Sequence, residues 1–309
     1  MLNYILLLLA AFIWGSAFVA QSIGMDFVGP FTFSTVRSII GSLVLVPVII
    51  YINYNNRKKG IEPVDGNGKS LTKDEYFRNT VIGGSCCGLV LFVASNLQQA
   101  GIQYTTSGKA GFITALYVVL VPVSGIFFKK KLHPIVWFSV ALSVCGLYLL
   151  CINKEVDGAG GILGLIGKGE LLVLLCAFAF TVHILVIDHF SHKSHAVAMS
   201  SIQFLVNFVL SGIAMFITET PTIHNILGAA VPILYAGVLS SGVAYTLQIV
   251  AQKKANPTLC SLIMCLESVF AVLAGWVVLH EEMTVRHIVG CILMFVAIVI
   301  AEAPKPNKK

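Results

Sequence analysis

Residues 2–23 read LNYILLLLAAFIWGSAFVAQSI, a run without a single Asp, Glu, Lys or Arg. At about 1.5 Å of rise per residue such a run crosses the roughly 30 Å hydrocarbon core of a bilayer as one helix. No Lys or Arg precedes it and it is long enough to span, so it is expected to be retained as a first membrane helix and not removed as a signal peptide. Nine further apolar segments follow. The first half continues with Phe31–Ile52, Thr80–Ala100, Ser107–Phe128 and Pro134–Ile152, and the second half holds Gly169–Phe190, Ala196–Ile217, Leu227–Val250, Pro257–Leu279 and Val285–Ala301. In the third, Gly83, Gly84, Ser85 and Gly88 dilute the hydrophobicity, but small residues are what close helix packing in a membrane uses.

Composition agrees. Only 11% of the 309 residues are charged and 57% are hydrophobic, with a mean hydropathy of +0.89, whereas a soluble domain carries roughly a quarter charged residues. The chain is therefore expected to be one all-α membrane domain over 1–309, of ten transmembrane helices, with a loop at 53–79 and a tail at 302–309 on the cytoplasmic side. With the N-terminus cytoplasmic, fifteen Lys and Arg fall on the inside, among them Arg57, Lys58, Lys59 and Lys129–Lys131, against three outside, Lys154, Lys168 and Arg286. That asymmetry obeys the positive-inside rule and places both termini in the cytoplasm. It also accounts for the net charge of +6 without any nucleic-acid partner. The eight cysteines form no CxxC pair and read as small packing residues. Gly68-Lys69-Ser70 lacks the glycine that a phosphate-binding loop needs five residues earlier, where Pro63 stands, so nucleotide binding is not expected.

The halves repeat. A shift of 166 places Phe12 on Phe178, Trp14 on Phe180 and Arg37 on Gln203, while a shift of 150 places Leu97-Gln98 on Leu247-Gln248 and Leu116-Tyr117 on Leu266-Glu267. Repeat one covers about 1–152 and repeat two about 169–301. Five spans per repeat is an odd number, so the second repeat would enter the membrane inverted. Two inverted repeats that exchange shapes move an opening from one face to the other, which is alternating access.

FIWGSAF at 12–18, LQQAGIQYTTSGKAGFITALYVVLVPV at 97–123 and KANPTLCSLIMCLESVFAVLAGWVVLHEEMT at 254–284 resemble the drug/metabolite transporter superfamily, EamA type. The resemblance implies two five-helix inverted repeats, a central cavity, cytoplasmic termini and export of small metabolites without ATP. Two departures stand out. Leu266-Glu267-Ser268-Val269 replaces the usual L-E-P-V and loses a helix-kinking proline, and Lys129-Lys130-Lys131 stands where an acidic residue often follows the fourth helix, a role Glu281 keeps in the second repeat.

Ionisable groups inside a membrane are costly and are functional candidates by default. Here they are Arg37, Lys109, His183 and Glu267. Arg37 lies on the second helix, which the resemblance makes peripheral, and it is left out of the expected site. Polar and aromatic side chains at helical spacing add Trp14 and Gln21 on the first helix, Ser95 and Gln98 on the third, Thr114 and Tyr117 on the fourth, and Tyr245 and Gln248 on the eighth. Ser241 and Gln252 extend the last stripe. The expected substrate-binding set is Trp14, Gln21, Ser95, Gln98, Lys109, Thr114, Tyr117, His183, Tyr245, Gln248 and Glu267. Gly108, Gly111 and Ala115 are expected to allow close packing. His189, His192 and His195 beside Asp188 spread around a helix end and do not make a metal site.

The sequence thus points to a secondary transporter in the cell membrane, favouring a bacterial plasma membrane. Its cargo is a small organic metabolite, with an amino-acid-like solute and export favoured. No cofactor is called for; proton or ion coupling and the oligomeric state stay open. Uptake or exchange of a sugar, nucleotide-sugar or phosphate ester would need a stronger basic cluster. A membrane-embedded enzyme would need a converging catalytic set, and neither HExxH nor a serine nucleophile elbow is present.

Overall fold

The helices outrun the hydropathy that announces them. α1 is Leu2–Met25, α2 Pro30–Lys59 and α3 Lys73–Ile102, so the 53–79 connector is shorter than its composition suggested. α2 runs on because Arg57, Lys58 and Lys59 in its last turn complement the helix dipole, and it stops at Gly60, whose φ of 63° closes a left-handed cap. α3 starts in a capping box: Thr72 Oγ1 accepts from the Glu75 N–H at 3.2 Å, and the Glu75 carboxylate accepts from the Thr72 N–H at 3.1 Å. The Thr72 N–H and the Thr72 hydroxyl, both donating to that carboxylate, hold the Glu75 carboxyl below its usual range.

The computed structural model describes residues 2–60, 62–65, 68–105, 107–127, 133–151, 167–278, 280 and 282–302. Lys129–Lys131, Lys154, Glu281 and all but the first residue of the 302–309 tail lie outside them. The rest of the chain is α4 (Ser107–Thr114), α5 (Tyr117–Phe127), α6 (Pro134–Cys151), α7 (Lys168–Ser191), α8 (Ala196–Thr218), the short α9 (Ile223–Gly228), α10 (Ala230–Leu234), a π-helix (Tyr235–Ala244), α11 (Tyr245–Gln252), α12 (Pro257–Met264), α13 (Glu267–Val278) and α14 (Val285–Glu302). Among the described residues, seven helical stretches are long and apolar enough to cross a membrane, and shorter apolar helices occupy 110–126, 134–149 and 285–301.

The distribution of side chains is inverted relative to a soluble protein. Phe216, Ile217 and Val231 are 77–78% exposed on outer faces, while Arg37, His183 and Glu267 are 0–6% exposed inside. Water would not tolerate such an apolar surface; hydrocarbon does. This is an all-α membrane protein.

Packing partners exchange when the halves are swapped. α1 lies on α13 as α7 lies on α4 and α5; α3 packs on α7 as the π-helix and α11 pack on α1; α2 touches the π-helix as α8 touches α3. The pairs α2–α8 and α6–α14 map onto themselves. Small residues permit these approaches. A Cβ on Gly84 or Gly88 would lie 2.6–2.7 Å from Ile202 or Val206 of α8, so the glycines that dilute the third segment are what seat it. Gly111 differs from expectation: the nearest atom to a Cβ there is Ser268 Oγ at 3.8 Å, ordinary contact.

Two devices fix α2. Asn207 Nδ2 donates to Ser38 Oγ at 2.9 Å and to Ser95 Oγ at 3.4 Å, while Ser211 Oγ donates to Asn207 Oδ1 and accepts from Asn96 Nδ2. This buried polar cluster ties α2, α3 and α8 together. At the other end Gly29 offers no side chain to cap α2. Glu219, from beyond α8, supplies the cap, accepting the Phe31 and Thr32 N–H groups at 2.9 Å each and the Thr32 hydroxyl at 2.6 Å. Glu219→Gln removes the charge that suits a helix N-terminus and one of these acceptors. It is expected to cost about 1 kcal/mol, read as a lower melting temperature in detergent.

Candidate functional site

Two helix breaks build the centre. α4 ends and α5 begins around Ala115-Leu116; α12 ends and α13 begins around Cys265-Leu266. The shift of 150 superimposes them, down to the backbone bonds. Leu116 N–H donates to Ile113 O and Leu266 N–H to Ile263 O, both at 3.2 Å, while Ala115 N–H reaches Gly111 O and Cys265 N–H reaches Ser261 O, both at 3.0 Å. Each break is a turn tightened to i→i−3 bonding. The second forms without the missing proline, and its Ser268 hydroxyl donates to Gly111 O at 3.2 Å in the other repeat.

Immediately after each break stands a repeat-related residue, Tyr117 and Glu267, and the two meet: Tyr117 Oη donates to Glu267 Oε1 at 3.1 Å. Around this contact lies a cavity lined by Trp14, Phe18 and Gln21 of α1, Arg37 of α2, Gln98 of α3, Thr114 and Tyr117. Phe180, His183 and Ile184 of α7, Ser240 of the π-helix, Tyr245 and Gln248 of α11, Met264 and Glu267 complete it. The lining is largely repeat-related: Trp14 with Phe180, Phe18 with Ile184, Gln98 with Gln248, Thr114 with Met264 and Tyr117 with Glu267. Charge departs from that symmetry. Arg37 corresponds to Gln203, and Glu267 to Tyr117. Of the charged side chains described, only these two line the cavity, and among the described residues they have no ion-pair partner.

Local contacts hold the polar groups. Arg37 Nη1 donates to Gln21 Oε1 at 3.2 Å, and Gln21 Nε2 donates to Ala17 O. Gln98 Nε2 donates to Thr114 Oγ1 at 3.2 Å. His183 Nε2 lies 3.0 Å from Gln203 Oε1, and its ring meets Tyr245 edge-on with centroids 5.8 Å apart. Tyr245 is wedged between Trp14 at 4.8 Å and Phe204 at 5.2 Å. Four buried atoms here have no hydrogen-bond partner among the described residues: Trp14 Nε1, Arg37 Nε, His183 Nδ1 and Gln248 Oε1.

Of the residues expected from sequence, Trp14, Gln21, Gln98, Thr114, Tyr117, His183, Tyr245, Gln248 and Glu267 are brought together. Ser95 is not: it is buried in the Asn207 cluster. The side chain of Lys109 lies outside those described. Ser240 takes the place of Ser241, because π-bonding stacks a residue over the fifth before it, and the Tyr245 N–H bonds to Ser240 O. Ser241 turns to α2, where its Cβ would meet one on Gly41 at 2.6 Å. Arg37, set aside as peripheral, faces the centre because α2 crosses both the π-helix and α8. Phe180, Ile184 and Met264 were available by applying the repeat shifts to Trp14, Phe18 and Thr114. The histidines near α7's end act locally: His195 Nδ1 caps α8 by accepting from the Ala198 N–H, and His189 contacts Lys193.

A multi-span helical protein with a charged cavity enclosed by its two halves has the build of a membrane carrier. The chain belongs to the EamA-like transporter family, whose profile matches residues 1–152 and again 167–302; it is a membrane transporter and not an enzyme. It is 30% identical over 296 residues to an uncharacterized transporter of Archaeoglobus fulgidus, covering 95% of this chain and 83% of that one. It is 24% identical over 290 residues to the uncharacterized transporter YoaV of Bacillus subtilis, covering 91% and 90%. A protein of known crystal structure shares the fold with a TM-score of 0.72 at 17% identity, over 97% of this chain and 96% of that one.

Proposed function

We propose that this transporter moves a small organic metabolite, an amino-acid-like solute, by alternating access, and that it exports that solute across the cell membrane. The observation that carries the reading is the meeting of Tyr117 and Glu267 directly after the two matching helix breaks. In a pair of inverted five-helix repeats, such a point lies where exchanging the shapes of the halves opens the cavity first to one face and then to the other. Broken helices in corresponding positions of two repeats are a general mark of a carrier's binding site, and the i→i−3 turns at Leu116 and Leu266 supply hinges.

Ten crossings with cytoplasmic termini follow from the apolar segments and the skew of Lys and Arg. Glu267 receives the amine of the solute, and the aromatic side chains of Trp14 and Tyr245 form a wall against its apolar part. Export is the direction that the family resemblance supports.

A ligand that binds only the folded state at one hundred times its Kd adds about 2.7 kcal/mol of stability. Purified protein screened against amino acids, sugars and phosphate esters is therefore expected to show raised melting temperatures with members of the first group alone. Stabilisation confined to sugars or phosphate esters would contradict the reading.

A further inference from the structure

We infer that Arg37 is the carboxylate anchor of this cavity, with Gln21 as its positioning residue, and that the cargo is a net-neutral zwitterion held between Arg37 and Glu267. The inference rests on the cavity being the transport site.

Arg37 is 5% exposed and has no carboxylate neighbour among the described residues. A guanidinium cannot shed its charge, so a buried one with no counter-ion calls for an anion. Its hydrogen bonds are unevenly used. Nη1 is taken by Gln21 Oε1, the Phe33 ring lies 5.8 Å from Cζ, and Nε is buried without a partner. The Gln21 side chain is itself held through Nε2 to Ala17 O, and the Gln21 backbone carbonyl accepts from Gln99 Nε2. The side of the guanidinium left unused therefore begins at Nε, and the Nε–Nη2 edge is one of the forks that match the two oxygens of a carboxylate. Trp14 Nε1 is a second buried donor in the lining without an acceptor.

The acceptors are equally unspent. Gln248 Oε1 has no donor among the described residues. His183 gives Nε2 to Gln203 Oε1, which fixes the proton there and leaves Nδ1 as a bare acceptor. Among the described residues Glu267 receives one hydrogen bond, from Tyr117. Donors without acceptors and acceptors without donors in one cavity describe a ligand carrying both a carboxylate and an ammonium. One cation and one anion among the described lining residues match zero net charge.

Counterflow in proteoliposomes tests this with leucine and phenylalanine, each beside its α-amide, its decarboxylated amine and its des-amino acid. The intact protein is expected to prefer each amino acid at least tenfold over its amide and its amine. Arg37→Gln is expected to erase that preference, Arg37→Lys to keep part of it with the charge retained for folding, and Gln21→Ala to weaken it several-fold. Amines or amides moved as well as the amino acids, or an undiminished preference in a folded Arg37→Gln protein, would overturn the Arg37 assignment while leaving a carrier in place. Flux of none of these compounds would defeat the transport reading as well.

Discussion

Glu267→Gln is expected to raise the half-maximal solute concentration by roughly thirtyfold or more and to leave the protein folded. The carboxylate lies 6% exposed between the two helix breaks, and its one described hydrogen bond is the Tyr117 hydroxyl at 3.1 Å. Glutamine has the same shape and still accepts that bond, so packing is preserved. The substitution removes a buried charge that has no ion-pair partner among the described residues, and melting in detergent should be unchanged or slightly higher. The solute's ammonium, by contrast, loses its counter-ion in a desolvated site. Truncating one member of a buried charge pair costs about 2–5 kcal/mol of binding. A variant that melts normally and transports normally would assign Glu267 to helix locking alone.

Gly15→Val is expected to have the largest effect on stability. A Cβ at Gly15 would lie 2.5 Å from the Glu267 carbonyl oxygen, 2.5 Å from Phe270 Cβ and 2.8 Å from the Ala271 backbone nitrogen. Two of these three atoms are backbone of α13 and cannot swing away. α1 and α13 must move apart, which carries Trp14 and Glu267 out of register on opposite walls of the cavity. Overpacking of this kind costs about 1–3 kcal/mol or more. The expected result is a lower melting temperature in detergent together with loss of transport, with Gly15→Ala showing a smaller version of both. Full stability in the valine variant would mean that α1 can be displaced from α13 without cost.

The sequence revealed most where a feature is set by composition or period. Among the described residues every apolar segment reappears as helix, because hydrocarbon leaves the backbone no other partner. The repeat shifts of 166 and 150 align Trp14 with Phe180 and Tyr117 with Glu267, and all four line the cavity, although Phe180 is absent from the expected set. Other features depended on what one helix meets on another. Tyr235–Ala244 is a π-helix, whereas its repeat counterpart 85–94 lies within the regular α3. Apolar periodicity does not distinguish the two, so helical spacing carries the polar stripe through Ser241 while Ser240 lines the cavity. Ser95 and Tyr245 are equivalent by shift, yet Ser95 is engaged by Asn207 from α8, a contact between elements more than a hundred residues apart. Arg37 was visible as an intramembrane charge, but its direction depended on how α2 crosses the bundle. The break at Leu266 forms with Ser268 where the family resemblance leads one to expect a proline, because tightening to i→i−3 bonding needs no proline.

Counterflow in proteoliposomes tests the central claim, alternating access through this cavity, most directly. Labelled neutral amino acid at low concentration outside vesicles preloaded with unlabelled amino acid is expected to accumulate transiently above its equilibrium level, because the unlabelled solute inside competes with entered label for the inward-facing site and holds back its exit. Entry that rises only to equilibrium and is indifferent to preloading would contradict the account and describe a pore.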